Sequence, residues 1–244
     1  MRLEKILQRN DVWRGSEAPS TTGIASGFWE LDAALASEGW PSSALVEILT
    51  ERVGIGEMRL LLPALAQLTR GDRWVVFIAP PFVPYAPALV RAGLDLSRVL
   101  VVSPKKNNDT LRAVEQALRA GTCGAVLAWP SSTDTKSLRR LQRAAEAGGA
   151  LGILFRSTSV EKEHSPAALR LKVESADGEA RRLAVQILKR RGGWPTGPVV
   201  LEVYRALVMR SSTRSAARDI STRRRYPSAY GHQPRPRVRT ARRY

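Results

Sequence analysis

The residues most able to do chemistry stand in one short segment, Thr50-Glu51-Arg52-Val53-Gly54-Ile55-Gly56-Glu57-Met58. It follows an apolar run that reads as a strand and precedes one that reads as a helix, the setting in which backbone amides cradle phosphates. A working loop of this type has the pattern Gly-x-x-x-x-Gly-Lys-Ser/Thr, in which lysine holds the terminal phosphate oxygens and the hydroxyl ligates magnesium. Here Thr50, Gly54 and Gly56 keep the outline, but Glu57 and Met58 occupy the lysine and hydroxyl positions. A carboxylate repels an anion and a thioether does not replace the hydroxyl as a metal ligand. Glu57 at the start of a helix is favourable for the helix dipole, so it is expected to cap the helix and fill the phosphate position. The loop is therefore degenerate, and neither a nucleotide cofactor nor a metal is expected.

The second chemical statement is charge. The 244 residues carry 39 Lys and Arg against 22 Asp and Glu, a net +17. Residues 205–244 hold twelve arginines and one aspartate, +11 of that total, which leaves +6 for residues 1–204. Arg223, Arg224, Arg225, Arg235 and Arg237 lie in this tail, and Lys189, Arg190 and Arg191 lead into a Gly-Gly turn before it. These residues form a candidate nucleic-acid surface, because neutralised phosphates release counterions; the competing reading is a solvated tail that aids solubility. Lys136, Arg139, Arg140 and Arg143 share a helical face that reads as either a docking face or ordinary solvent surface. The mixed charges of the loop 157–165 read as solvated surface. Leu3, Ile6 and Leu7, followed by Trp13, form an amphipathic stripe that either meets a partner or folds onto its own core. Cys123 reads as a packing residue, and His164 and His232 lack neighbours that would make them ligands.

The elements needed to position these groups are legible. Apolar strands are expected at 44–49, 73–79, 98–102, 124–129 and 150–155, alternating with helices at 57–68, 87–91, 108–119 and 135–147. Ser26 is placed to cap a further helix in which Phe28, Leu31 and Leu35 share a side. Continuous apolar strands alternating with helices imply a parallel sheet covered on both faces. The rhythm then changes: 169–173, 182–188 and 199–203, separated by turn signals, imply antiparallel strands at one edge. Composition is globular, with 43% apolar and 25% charged residues. No apolar run reaches the ~18–20 residues of a membrane helix. The charged start and single cysteine predict a cytoplasmic protein without disulfides, with nucleoid association open to its charge. Three regions are expected: an N-terminal helix and linker at 1–22, a core at 23–204 and a disordered Arg-rich tail at 205–244.

Within 1–204, Gly23-Ile-Ala-Ser-Gly-Phe-Trp-Glu-Leu-Asp32, Gly39-Trp-Pro41, Val46-Glu-Ile48 and Arg98-Val-Leu-Val-Val-Ser-Pro104 resemble the RecA ATPase core. Asp11-Val-Trp-Arg-Gly15, Glu57-Met-Arg-Leu-Leu-Leu-Pro63 and Leu188-Lys-Arg-Arg-Gly-Gly193 are similar to the translesion DNA synthesis-associated ImuA family, a group that carries SulA-like annotation. The resemblance implies an α/β, RecA-like three-layer core with a mainly parallel sheet, antiparallel strands at the C-terminal edge and a degenerate P-loop. It also implies that Pro81 and Phe82 stand where a glutamate base belongs, and Trp129 where a metal-organising aspartate belongs. The implied function is a non-catalytic accessory of damage-induced translesion synthesis (SOS mutagenesis, a DNA repair pathway). Its implied partners are RecA, an ImuB-like Y-family polymerase homologue and an error-prone DNA polymerase. The alternatives are DNA binding through the basic tail, or SulA-like inhibition of cell division.

Overall fold

The computed structural model describes residues 23–35, 38–178, 181–192 and 196–204. Their elements run α1 (Trp29–Ala34), β1 (Leu45–Thr50), α2 (Leu62–Arg70), β2 (Trp74–Ile78), α3 (Ala86–Ala92), β3 (Val99–Val102), α4 (Asn107–Arg119) and β4 (Cys123–Ala128). They continue through α5 (Thr135–Gly148), β5 (Leu151–Ser157), β6 (Leu169–Ser175), β7 (Arg182–Arg190) and β8 (Thr196–Glu202). The expected N-terminal helix and the Arg-rich tail lie outside the described residues.

One mixed eight-stranded sheet holds the molecule together, in the order β3-β2-β4-β5-β1-β6-β7-β8. Every residue of β1 and β4 is buried, as strands covered on both faces must be. Side chains alternate across the sheet, so two separate cores form. Val46, Ile48, Val75, Phe77, Leu127 and Ile153 pack under α1, α2 and α3. Leu45, Val76, Ile78, Val126 and Leu154 pack under α4 and α5, which contribute Leu111, Val114, Leu118, Leu138 and Leu141. In β6–β8 only one face is apolar, through Leu171, Val173, Leu183, Val185 and Leu201, and α1 lies against β8.

Several local expectations are corrected. The helix expected over 57–68 is broken into a 3-10 turn, Glu57–Leu60, and α2. Pro63 falls at the N1/N2 position of α2, where a missing N–H costs nothing, so the α-helix starts there. Ser26 does not cap α1: Phe28 is the N-cap residue, without a side-chain bond, and the Ser26 hydroxyl bonds the Phe28 backbone instead. The three C-terminal strands form the expected antiparallel set, β6 with β7 and β7 with β8, but β6 also pairs parallel with β1 and so joins this set to the parallel part of the sheet. The link from β5 to β6 crosses β1, whereas the turn at Asp177-Gly178 makes a true hairpin. The expectation of a RecA-like core around a degenerate phosphate loop is also corrected. No phosphate-loop core stands at the centre of the fold: the Gly54 and Gly56 amides are taken by the Glu57 carboxylate.

The crossing of β1 is fixed by charge. Glu47, fully buried in β1, accepts from Arg156 Nη1 of β5 at 2.6 Å and from Arg170 Nε of β6 at 2.8 Å. Arg170 also donates to the carbonyls of Val160, Glu161 and Glu163 at 2.9, 3.0 and 3.1 Å. One side chain thereby holds the crossover loop against the sheet. Removing one member of such a group leaves uncompensated buried charge, which costs about 3–5 kcal/mol. Glu47→Leu is expected to lower the unfolding free energy by about that amount in urea titration, and adding Arg156→Leu and Arg170→Met to recover much of it.

Candidate protein-binding cleft

The carboxyl ends of β1, β2 and β4 open on one side of the sheet, and the loops leaving them enclose a cleft. On the β1 side, Gly54 and Gly56 adopt left-handed backbone with φ of 89° and 106°, a conformation that disfavours residues with a Cβ. Their amides turn toward the Glu57 carboxylate, which accepts from Gly54 N at 2.9 Å and Gly56 N at 3.0 Å. Glu57 is only 3% exposed. The carboxylate thus takes the amide donors that a phosphate would need, as the sequence suggests. Thr50 is buried at the end of β1, and Met58 packs against the core beside the cleft.

The opposite wall is the loop between β2 and α3. Phe82, Val83 and Tyr85 are 74%, 88% and 69% exposed, an unusual density of apolar surface held by Pro80, Pro81 and Pro84. The floor is Trp129, stacked on Phe155 with ring centroids 4.4 Å apart, and beyond it Phe77 at 6.4 Å. The rim residues, Trp129 and Phe77, with Leu62, Leu89 and Tyr204, bound a cleft of about 530 Å³. Arg59 and Arg181 stand over the Tyr204 ring at 5.6 and 5.9 Å. Arg91 lines the cleft and Arg52 adjoins Val53; both are exposed, and neither makes an ion pair that the structure records. Pro81, Phe82 and Trp129, singled out as vacated catalytic positions, are therefore brought together as walls and floor of an apolar surface. Sequence reasoning missed Val53, Val83, Tyr85 and Tyr204. The apolar, proline-spaced run from Pro80 to Tyr85 was the available signal, since a loop ordinarily carries polar residues.

The other candidate residues fall elsewhere. Lys189 donates to the Ser165 carbonyl at 2.6 Å, and Arg191 Nη2 bonds Glu146 at 3.2 Å. Arg190 bonds the Ala34 carbonyl. All three cations are engaged within the fold, and no common cationic face results. Desolvation, then the neighbouring Arg170 and Arg191, holds the Lys189 ammonium below the usual lysine range. On α5, Arg140 pairs with Glu115 at 2.7 Å, while Lys136, Arg139 and Arg143 are exposed. Burial pushes the Cys123 thiol up, consistent with a packing role. Leu3, Ile6, Leu7, Trp13, Arg223, Arg224, Arg225, Arg235 and Arg237 lie outside the described residues. Among the described residues no cluster of potential metal ligands occurs, and no helix is long and apolar enough to cross a membrane.

Fold and site together define an α/β protein whose sheet ends in an apolar cleft. Comparison with known proteins supplies the family. The model of the family described as cell division inhibitor SulA matches residues 46–152. Cell division inhibitor SulA of Photorhabdus laumondii is 35% identical over 120 residues, spanning 48% of this chain and 68% of that protein. SulA of Serratia proteamaculans is 30% identical over 120 residues, 49% of this chain and 71% of the relative. SulA of Yersinia pestis (strain Pestoides F) is 29% identical over 170 residues, 69% and 89% respectively. A crystal structure of SulA from Pseudomonas aeruginosa shares 31% identity, covers 46% of this chain and 97% of its own, and superposes with a TM-score of 0.39. The chain belongs to the SulA family.

This membership overturns the identification with the ImuA family, and with it the role in translesion synthesis. It equally removes RecA, the ImuB-like polymerase and the error-prone polymerase as the expected partners. The matched stretch contains Val46-Glu-Ile48, the glycine loop and Arg98–Pro104, which carried much of that resemblance. Glycine turns between apolar strands and helices are demanded by any open parallel arrangement, so they do not discriminate among families that share it.

The cleft separates packing from surface sharply enough to test. Trp129→Ala, which empties the floor between Phe77 and Phe155, is expected to lower the unfolding free energy by about 3 kcal/mol in urea titration. Phe82→Ser, on the exposed rim, is expected to stay within about 0.5 kcal/mol of the parent.

Proposed function

We propose that this chain is a cytoplasmic, non-enzymatic inhibitor of cell division within the SOS response, acting by binding the tubulin-like division protein FtsZ. Family membership supplies the process, since the relatives are named cell division inhibitors. The observation that carries the mode of action is the exposed Phe82-Val83-Tyr85 rim around the cleft. Apolar surface of this density on an exposed loop marks a protein interface, and aromatic anchors in a pocketed patch carry most of the binding energy. Arg52 and Arg91 at the margin favour a partner that offers carboxylates around an apolar side chain. The Glu57 carboxylate, committed to the loop amides, supports a cleft that holds a partner rather than one that turns over a phosphate ester.

Expression in a RecA-deficient bacterium is expected to give filamentous cells, and purified chain is expected to block FtsZ polymerisation while ATP turnover stays at background. The double variant Phe82→Ser/Tyr85→Ser should fold normally yet bind FtsZ at least about tenfold more weakly, each exposed aromatic contributing about 1 kcal/mol or more. Rod-shaped cells and unimpaired polymerisation with the parent chain would overturn the reading.

A further inference from the structure

The Glu57 carboxylate is buried and has no cationic partner among the described residues, on a wall that the proposed partner must touch. Its two hydrogen bonds both come from the loop it belongs to, Gly54 N donating to one oxygen and Gly56 N to the other. Both glycines have left-handed backbone, which sets their amides facing inward around the carboxylate. Little else fixes this loop. Glu51, Arg52, Val53 and Gly54 are exposed, and a Cβ on Gly54 would meet nothing within 4 Å. Packing holds only its far end, where Ile55 and Met58 lean on the core. The chain from 51 to 56 therefore owes its shape to the carboxylate. Hydrogen bonds to a charged acceptor are about twice as strong as neutral ones.

We infer that Glu57 is a positioning residue for partner docking: its carboxylate serves as a built-in anion that locks the glycine loop and so fixes Val53 in the wall of the cleft beside the core-packed Met58. For the docking consequence this rests on the function proposed above. For the lock itself it rests only on the loop geometry. A side chain that merely capped the following 3-10 turn would leave the shape of residues 51–56, and hence the cleft, unaffected by its loss. The lock predicts the opposite, and it predicts that a small free carboxylate can take the vacated place.

The test uses the full chain with Glu57→Ala and Glu57→Gln. Formate is titrated while the backbone amide resonances of Gly54 and Gly56 are followed, and FtsZ affinity is measured with and without formate. In Glu57→Ala the two amides should shift saturably with formate, and in the parent they should not move. FtsZ affinity should fall at least tenfold in Glu57→Ala and be largely restored by formate, with the core intact by near-ultraviolet circular dichroism. Glu57→Gln keeps one acceptor oxygen and should show a smaller loss. Parent-like affinity in Glu57→Ala, or amides indifferent to formate, would overturn the proposal. Should the alanine variant not fold, Glu57→Gln decides: a several-fold weaker affinity supports the lock and an unchanged one overturns it. Failure of the parent chain to bind FtsZ would instead defeat the functional reading, leaving the formate response of the two amides to judge Glu57.

Discussion

A carboxylate sealed inside the sheet, shared between two guanidinium groups, is what the arrangement of this protein turns on. Glu47 sits in β1 with β5 on one side and β6 on the other, and it binds an arginine from each. Neither charge is tolerable there alone, because desolvating a single ion costs several kcal/mol. The requirement that all three meet brings the crossover between β5 and β6 over β1, and β6 accordingly lies parallel to it. From β6 the chain turns back on itself through β7 and β8, so the sheet becomes mixed at the β6–β7 pair. The same Arg170 that satisfies Glu47 also satisfies three carbonyls of the crossover, which gives an otherwise polar loop a defined path.

Glu57 solves the same problem differently. Both glutamates are buried, but Glu47, in the middle of β1, is met by cations from neighbouring strands and Glu57 by amides of its own loop. The first ties distant parts of the chain together, and the second shapes a local turn. On the cleft floor, the stack of Phe77, Trp129 and Phe155 is apolar. An apolar floor, an apolar proline-stiffened rim and two unpaired arginines at the margin make a surface suited to gripping another protein.

Resemblance proved a better guide to elements than to identity. The glycine loop, the strand sequence Arg98–Pro104 and the turn at Gly39-Trp-Pro41 are features that an α/β sheet of this kind requires for steric reasons. Gly39, for instance, has φ of 151°, and a Cβ there would lie 2.5 Å from the Ile24 carbonyl oxygen. A residue demanded by packing recurs wherever the packing recurs, whatever the partner. The family was decided by relatives 35% and 30% identical over 120 residues, covered to 68% and 71% of their own length, rather than by those few positions.

By itself the sequence determined the strands and the helices between them, because a buried strand and an amphipathic helix each announce their period within a few residues. It also determined the fate of the glycine loop, since Glu57 stands one residue after Gly56 and reaches the amides without help from the rest of the chain. It did not disclose that Glu47 would find Arg156 and Arg170, 109 and 123 residues away. Nor did it show that Lys189, Arg190 and Arg191, which read as a cluster, would be drawn off singly to different partners. Only the tertiary structure brought Val53, Phe82, Trp129 and Tyr204 around one cleft. Local periodicity is written in neighbouring residues, whereas a surface assembled from the ends of separate strands exists only once the order of those strands is fixed.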